Sequence, residues 1–278
     1  MAKDDATQRT STGRRPTKVM RKNFPFSFLE NPLSALIPAV PYAKEEKVDC
    51  HGVAILAENL ACSAQPGFPL AFQNVNFSIP CGCRAALIGP NGSGKSTLLR
   101  TLAGLNPLAE GTVKLLGVEP RLGRSRIAYL AQRPQLTPFF PLQLKRCVQM
   151  GTYAHHGWFE ECHHGEANIE KALQLLDLKS LADRPIHQLS GGQLQRALLA
   201  RATVQGAEIL LLDEPFSALD SRSREIVESF LFHSQNTFTV LMATHDPAEL
   251  KRFDCVLELN HGTLKTLHAC RGHPHHHD

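Results

Sequence analysis

Residues 89–97 read Gly89-Pro90-Asn91-Gly92-Ser93-Gly94-Lys95-Ser96-Thr97, and the mostly apolar run before them, residues 84–88, predicts a strand that leads directly into this segment. The glycines allow the backbone to turn so tightly that successive N–H groups point inward at phosphate groups. A helix that begins at Lys95 would add the positive end of its dipole. Lys95 would neutralise phosphate charge, and the Ser96 hydroxyl is a candidate Mg²⁺ ligand. The spacing therefore predicts a phosphate-binding loop between a strand and a helix.

A second candidate region is the apolar run Ile209-Leu210-Leu211-Leu212, which is typical of a strand buried on both faces. It ends in Asp213 and Glu214. Ligands of open α/β sheets collect at the carboxyl ends of the strands, so Asp213 is a candidate to hold Mg²⁺ through water. Glu214 is a candidate to orient or deprotonate the water that attacks the terminal phosphate. Alone, two acids after a strand are typical of a solvated loop, but beside a phosphate-binding loop they predict a catalytic site.

A third motif, Leu189-Ser190-Gly191-Gly192-Gln193, has the pattern of a helix start. Ser190 and Gln193 are spaced as a capping box, and the residues after them continue at helical spacing. An ordinary capped helix would satisfy this pattern. However, two glycines in the first turn cost helix stability, and they favour a backbone that approaches an anion closely. One nucleotide does not need two such sites on one chain, so the motif predicts a head-to-tail pair of subunits with a nucleotide between them.

Together these motifs resemble, in order and spacing, those of the nucleotide-binding subunit of ABC transporters. The resemblance covers residues 52–268 and rests on Gly89–Thr97, Gln132, Leu189–Gln193, Ile209–Pro215, Ser217–Asp220 and Thr244–Asp246. It implies an α/β fold: a P-loop NTPase core with a mostly parallel sheet, an antiparallel β subdomain and an inserted α-helical subdomain at residues 133–188. It also implies that ATP and Mg²⁺ are the cofactors.

The resemblance assigns roles to further residues. Gln132, after the strand-like run at residues 127–130, would sense Mg²⁺ and the γ-phosphate and relay this to a partner. Asp220 would reach across the dimer. His245, at the end of the strand-like run at residues 238–243, would contact the γ-phosphate and hold the attacking water. Four residues would bind the nucleotide of the second subunit: Ser190, Gly191, Gly192 and Gln193.

One residue of the family pattern is absent. Ala64 stands where an aromatic ring normally stacks on adenine. By analogy with the stacking of nucleic-acid bases, such a ring is worth about 1–3 kcal/mol. We therefore expect weaker affinity and base selectivity, unless Phe68 substitutes from the same loop.

Length and composition limit what the chain does. In 278 residues no apolar run reaches the 18 or so needed to cross a bilayer, so transport would require separate membrane subunits. We expect a cytoplasmic protein bound peripherally to the inner face of the cell membrane. A net charge of +4 is too small to indicate a nucleic-acid partner. Residues 1–48, rich in basic residues, Ser and Thr and without a signal-peptide core, predict a disordered extension before an ATPase domain at 49–268.

The eight cysteines, beside a loop that needs cellular ATP, favour reduced thiols over a disulfide scaffold. Cys81 and Cys83 are then simply residues at the start of a strand, because two thiols alone do not fill a tetrahedral metal site.

The predicted helical region carries the information about substrate. Ile169, Ala172, Leu173 and Leu176 mark one amphipathic helix within it. Phe140-Pro141 and residues 149–159 resemble the ATPases of zinc and manganese importers, although Arg146 stands where an acidic residue is expected. Side chains suited to Zn²⁺ crowd one predicted loop and the C-terminus, which ends in a His-rich tail at 269–278. They are His155, His156, Cys162, His163 and His164 in the loop, and His268, Cys270, His273, His275, His276 and His277 at the C-terminus. The tail is either an incidental polar segment or a weak metal buffer or sensor.

The resemblance implies the ATP-hydrolysing subunit of an importer for a divalent metal ion, zinc or manganese. It would form a homodimer through ATP, dock on integral membrane permease subunits, and receive substrate indirectly from an extracytoplasmic binding protein. Three alternatives stay open: the ATPase of an iron-chelate importer, which shares every catalytic motif; a soluble ABC protein that acts on DNA or ribosomes; and a non-hydrolysing regulator, against which Glu214 and His245 argue.

Overall fold

The computed structural model describes residues 52–64, 67–132, 142–154, 165–217, 219–233 and 238–269. The strands are β1 (Val53–Ser63), β2 (Leu70–Pro80), β3 (Arg84–Ile88), β4 (Glu110–Leu115), β5 (Ile127–Leu130), β6 (Ile209–Asp213), β7 (Thr239–Ala243), β8 (Cys255–Asn260) and β9 (Thr263–His268). The α-helices are α1 (Lys95–Leu102), α2 (Leu144–Gln149), α3 (Gly165–Leu175), α4 (Gly191–Val204) and α5 (Ser221–Glu228). Short 3₁₀ turns cover Arg124–Arg126, Met150–Ala154, Lys179–Leu181, Ile186–Gln188 and Glu249–Arg252, and a π-helical turn covers Ser229–His233.

The strands form two sheets. One has three strands in the order β2-β1-β4, and both of its pairings are antiparallel. The other has six strands in the order β5-β6-β7-β3-β8-β9, in which only β9 runs antiparallel to its neighbour. The predicted combination of a mostly parallel sheet with an antiparallel β part is therefore confirmed.

The six-stranded sheet separates two apolar cores, because side chains alternate between its faces along each strand. Leu87, Leu211 and Leu241 pack on one side with α1 and the three-stranded sheet. Ala86, the residue before Leu87, packs on the other side with helices α2 to α5. A strand that is covered on both faces needs a continuous apolar run, which is the pattern read from residues 209–212.

The predicted amphipathic helix is confirmed as α3. Ile169, Ala172 and Leu173 are buried there, and Leu176, one residue beyond its end, is fully buried as well. These side chains share a core with Leu144 of α2. The inserted helical region is described from 142 to 154 and from 165 to 188; residues 133–141 and 155–164, with the predicted loop of histidines, lie outside the described residues. So do residues 1–51 and the tail beyond Ala269.

The expectation of reduced thiols is wrong for Cys83 among the described residues. Cys83, buried immediately before β3, is disulfide-bonded, whereas Cys62, Cys81, Cys147 and Cys255 carry thiols. The expectation rested on the presumed compartment, whereas pairing depends on which cysteines the fold brings together. Among the described residues, no helix combines the length and the apolar character that a bilayer-spanning segment needs.

Candidate functional site

Four strand ends bring the predicted site residues to one edge of the six-stranded sheet. β5, β6, β7 and β3 are parallel neighbours in that order, so their carboxyl ends lie side by side. Gln132 follows β5, Glu214 follows β6, and His245 follows β7. The phosphate loop, residues 89–97, follows β3 and leads into α1. The sheet topology thus collects segments that are far apart in the sequence.

Lys95 is folded back into the phosphate loop. Its side-chain nitrogen donates to the carbonyl oxygens of Gly89 at 2.8 Å and of Pro90 at 3.0 Å, and the residue is only 6% exposed. A buried ammonium group has a strong demand for hydrogen-bond acceptors, which two carbonyls meet only in part. The cation is therefore held at the centre of the loop and can bind phosphate oxygens.

Glycine is required at the start of the phosphate loop. Gly89 has a φ of 150°, and an added Cβ would lie 2.0 Å from the carbonyl oxygen of Leu259 in β8. Gly94, which caps α1, has a φ of 101°. A side chain at either position would therefore be strained by the backbone angle, and at Gly89 it would also collide with β8.

The phosphate loop fits an anionic ligand. The Ser93 hydroxyl oxygen is buried, and no hydrogen-bond partner for it is found within the described part of the chain. The first turn of α1 carries no acidic residue and its N-terminus has no side-chain cap. A buried hydroxyl and uncapped N–H groups are polar groups that a phosphate would satisfy.

Asp213 lies at the end of β6 and is 6% exposed. Burial raises the pKa of Asp213, and a hydrogen bond from Ser96 acts against that rise. The hydroxyl group of Tyr129, in β5, also donates a hydrogen bond to Asp213. Burial, the larger cause, and then the negative charge of Asp213 raise the pKa of Tyr129 to about 12. A carboxylate beside a hydroxyl is a donor set that suits Mg²⁺. Of the three residues predicted to contact the ion, Ser96 and Asp213 are thus in contact with each other, whereas the Gln132 amide contacts Glu214.

The side chains that follow β5 and β7 both approach Glu214, which follows β6. The Gln132 side-chain nitrogen donates to Glu214 Oε2 at 2.8 Å, and His245 Nδ1 lies 3.6 Å from the same oxygen. Glu214 itself has a φ of 47°, in the left-handed region, and its N–H donates to the carbonyl of Ala243 in β7 at 3.1 Å. Strained backbone of this kind in a non-glycine residue is a feature of functional sites. The residues predicted as catalytic are therefore brought together.

The motif at residues 189–193 forms the predicted helix start. The Ser190 hydroxyl accepts from Gln193 N at 3.3 Å, and the Gln193 side chain accepts from Ser190 N at 3.0 Å, so the capping box is complete. Gly191 is exposed. Gly192, however, is buried, and an added Cβ would lie 2.5 Å from the Ser223 hydroxyl. Close packing of α4 on α5 therefore requires a glycine at Gly192, whether or not this residue also contacts an anion. The predicted anion contacts of Gly191 and Gly192 stay predictions.

Asp220 is the N-cap of α5. Its carboxylate accepts from the backbone N–H and from the hydroxyl of Ser223, both at 2.9 Å, and these hydrogen bonds lower the pKa of Asp220. Ser190, Gln193 and Asp220 line one cavity of about 290 Å³, which none of the phosphate-loop residues line. The residues predicted to serve a second subunit therefore form a group separate from the loop that would hold the chain's own nucleotide.

The side of the site that would hold the base has no aromatic ring from Ala64, which is exposed. Phe68, in the same connection between β1 and β2, is 63% exposed and so available to stack. A cavity of about 510 Å³ adjoins the phosphate loop, and it is lined by Leu70, Ala71, Phe72, Gln73, Pro90, Asn91, Gly92, Ser93, His261 and Gly262.

Sequence reasoning missed two residues that contact the site. The first is Tyr129. Strand alternation could have indicated its position, because it places Tyr129 on the face of the sheet that carries Leu211, and Leu130 on the other face. Glu249 is the other: it accepts a hydrogen bond from Thr244, beside His245. No local pattern distinguishes that glutamate from a solvated one.

Comparisons with known proteins identify the family of the chain. A family model described as ABC transporter matches residues 72–217. The manganese transport system ATP-binding protein MntB of Halalkalibacterium halodurans is 37% identical over 193 residues, which cover 68% of this chain and 77% of that protein. The zinc transport system ATP-binding protein TroB of Treponema pallidum is 38% identical over 190 residues, which cover 67% of this chain and 71% of that protein.

Two solved structures are also similar. An inward-facing ABC transporter, described as of metal-chelate type, matches with a TM-score of 0.66 and 33% identity over 77% of this chain and 82% of that one. A dimeric ATP-binding cassette in a post-hydrolysis state, bound to ADP and Pi, matches with a TM-score of 0.66 and 26% identity over 77% of this chain and 99% of that one. The family match covers more than half of the 278 residues and includes both the phosphate loop and Glu214. The chain therefore belongs to the ABC transporter family and is an ATPase cassette of that family.

Proposed function

We propose that this chain holds ATP on the phosphate loop and hydrolyses it with Glu214, Gln132 and His245. One observation carries the proposal: Gln132 and His245, from separate strands, approach the same Glu214 oxygen at 2.8 and 3.6 Å. The phosphate loop starts on a strand of the same sheet edge. A terminal phosphate held by that loop would therefore lie on the same side of the sheet as the carboxylate.

Each side chain has a distinct task. Glu214 orients the attacking water and accepts its proton, and the Gln132 amide holds the carboxylate in place. His245 contacts the terminal phosphate and the water. Lys95 neutralises phosphate charge from within the loop. Ser96 and Asp213 are the residues that would hold Mg²⁺, which when bound supplies positive charge at the phosphate oxygens.

The second half of the site comes from another copy of the chain. Residues 190–193, at the start of α4, are the candidates. Ser190 and Gln193 line a cavity with Asp220 that the phosphate loop of their own chain does not line. We propose that this helix start binds the γ-phosphate of a nucleotide held by the partner and that Asp220 contacts the partner. The dimeric cassette bound to ADP and Pi, which this chain resembles, supports a homodimer of this kind.

The transported substrate is a divalent metal ion, manganese or zinc. This proposal is supported by two relatives that are named as manganese and zinc transport system ATP-binding proteins. The chain would dock on integral membrane permease subunits at the cytoplasmic face of the membrane. It would be served indirectly by an extracytoplasmic binding protein.

The experiment that tests the transport proposal uses the complex as it exists. The full-length chain is purified from native membranes with its co-purifying subunits, reconstituted in proteoliposomes and supplied with ATP. We expect ATP-dependent uptake of Mn²⁺ or Zn²⁺, and none with the Lys95→Ala variant. Intact ATP hydrolysis without uptake of either ion would contradict the metal substrate while leaving the ATPase proposal in place.

A second candidate is the uptake of an iron chelate. The 33% identity to a transporter described as of metal-chelate type favours it. The same vesicles discriminate the two candidates, because ATP-dependent uptake of a ferric chelate with no uptake of free Mn²⁺ or Zn²⁺ would select the chelate.

A further inference from the structure

A buried glutamate outside the predicted site is connected to the loop that carries His245. Glu249 is 6% exposed, and its two carboxylate oxygens have different partners. One accepts from the Thr244 hydroxyl at 2.5 Å, and the other accepts from Arg224 of α5 at 2.6 Å. A carboxylate that is buried with two such donors is held in one orientation.

Thr244 transmits this restraint to the backbone on both sides of His245. Its hydroxyl donates to Glu249 and also accepts from the N–H of Asp246 at 3.1 Å. Its own N–H donates to the carbonyl of Leu87 in β3 at 3.1 Å. The residues before and after His245 are therefore both tied to one hydroxyl group, whose rotamer Glu249 sets.

The His245 side chain itself has little to hold it. It is 65% exposed, and the polar contact recorded for it in the described chain is the 3.6 Å approach to Glu214. A separation of 3.6 Å is too long for a strong hydrogen bond, so the position of the imidazole ring depends on the backbone of His245. That backbone depends in turn on Thr244 and Glu249.

Arg224 connects the same network to α5. Besides Glu249 it donates to Glu228 at 2.9 Å, and its guanidinium lies over the ring of Phe216 at 5.2 Å. The backbone N–H of Arg224 donates to the carbonyl oxygen of Asp220, the N-cap of the helix, at 2.9 Å. The helix start proposed to contact a second subunit is therefore one helical turn from the arginine that holds Glu249.

We propose that Glu249 is a positioning residue for His245, acting through Thr244, and that Arg224 makes this position depend on helix α5. The inference rests on the role proposed above for His245. A shift of α5 when Asp220 meets a partner would move Arg224 and Glu249, and with them the backbone at His245. Contact with a second subunit would thus be coupled to the alignment of the catalytic histidine.

The first test is a pair of variants of the full-length chain at Thr244. Thr244→Val removes the hydroxyl at nearly constant volume, and Thr244→Ser keeps it. We expect Thr244→Val to lower kcat for ATP about tenfold, with KM changed less than about twofold, and Thr244→Ser to restore most of the rate. Equal loss in both variants, or loss only in KM, would overturn the proposal.

The second test is a double-mutant cycle between Glu249 and His245. Glu249→Gln keeps the shape but loses one of the two hydrogen bonds. We expect it to lower kcat about tenfold in the native background and less than about twofold in the His245→Ala background, because a residue that acts through His245 has nothing left to position. An equal factor in both backgrounds would overturn the inference alone. If His245→Ala keeps the native rate, the role proposed for His245 fails, and the inference fails with it.

Arg252→Gln is the matched control. Arg252 belongs to the same cluster and pairs with Glu228, and its side chain is 44% exposed against 38% for Arg224. Arg252 lies in the same 3₁₀ turn as Glu249, but within the described part of the chain its side chain forms no hydrogen bond or ion pair with Thr244 or Glu249. We expect native kcat for Arg252→Gln and a lowered kcat for Arg224→Gln at equal melting temperature. Parallel losses in the two variants would show that the cluster only stabilises the fold, and would overturn the role of Arg224.

Discussion

The amide nitrogen of Gln132 lies 2.8 Å from a carboxylate oxygen of Glu214, although 82 residues separate them in the sequence. The contact exists because β5 and β6 are parallel neighbours, so the residues that follow them meet at one edge of the sheet. Glu214 is 15% exposed and has a left-handed backbone, which aims its side chain differently from a residue that simply continues the strand.

Replacing Glu214 by Gln should stop turnover and preserve nucleotide binding. The amide has the same shape but cannot accept a proton, so we expect kcat to fall on the order of 100-fold or more while ATP affinity stays native. Phosphate release and binding of a fluorescent ATP analogue measure the two quantities separately. Near-native phosphate release from this variant would remove Glu214 from its proposed role.

Replacing Gln132 by Ala should lower kcat rather than affinity. The change removes the donor that holds the Glu214 carboxylate, and we expect a loss of about tenfold in kcat at a similar KM. Steady-state ATPase kinetics check it. The variant Gln132→Ala in the Glu214→Gln background provides the control, since it should add little once the carboxylate is gone.

Replacing Tyr129 by Phe should weaken the binding of Mg²⁺. Loss of a hydrogen-bond donor leaves the buried Asp213 less able to stay ionised, which raises its pKa beyond the rise that burial already causes. We expect the Mg²⁺ concentration for half-maximal ATPase rate to rise by on the order of tenfold. The deficit should be larger at pH 6 than at pH 8, because a carboxyl group with a raised pKa is more protonated at the lower pH. A deficit independent of pH would contradict this cause.

Replacing Gly192 by Ala should destabilise the fold even without nucleotide. The new methyl group would meet the Ser223 hydroxyl at 2.5 Å, and we expect a loss of about 1–3 kcal/mol in the free energy of unfolding. Gly191→Ala is the matched control, since that residue is exposed in the same turn and Ala favours a helix. Denaturant unfolding of the full-length chain measures both. Equal stability of the two variants would show that Gly192 is not required by the packing of α4 on α5.

Introducing an aromatic ring at Ala64 should tighten nucleotide binding. Ala64 is exposed, so Tyr is accommodated there, and stacking on the base is worth about 1–3 kcal/mol by analogy with single-stranded nucleic acids, or about tenfold in Kd. Binding titrations with ATP and GTP check the affinity and the selectivity. Phe68→Ala tests the alternative source of a ring: if Phe68 already stacks, removing it weakens binding and Ala64→Tyr adds little.

Much of the architecture was predictable because its patterns are local. The all-apolar run of β6 and the helical spacing in α3 both appear as expected, since burial on two faces and burial on one face leave different periodicities in the sequence. The capping box of Ser190 and Gln193 was predictable for the same reason, as its two hydrogen bonds join residues three positions apart.

Long-range packing was not predictable in this way. The close packing of Gly192 on Ser223 was missed, because Ser223 is 31 positions away and belongs to another helix. Cys83 looked like an ordinary strand-entry thiol and is disulfide-bonded. Nothing in the sequence around Glu249 indicates that it is buried, because its partners Arg224 and Thr244 are brought to it by separate elements.

The sequence by itself determined the phosphate loop, because nine consecutive residues supply the turn, the cation and the hydroxyl, and the backbone path follows from their local preferences. Only the tertiary structure decided that Gln132, Glu214 and His245 form one group, because the order of the strands in the sheet, and not their order in the chain, sets which strand ends are neighbours. A network such as Arg224, Glu249 and Thr244 depends on the same order, since its hydrogen bonds form only after the sheet and the helices on it have packed.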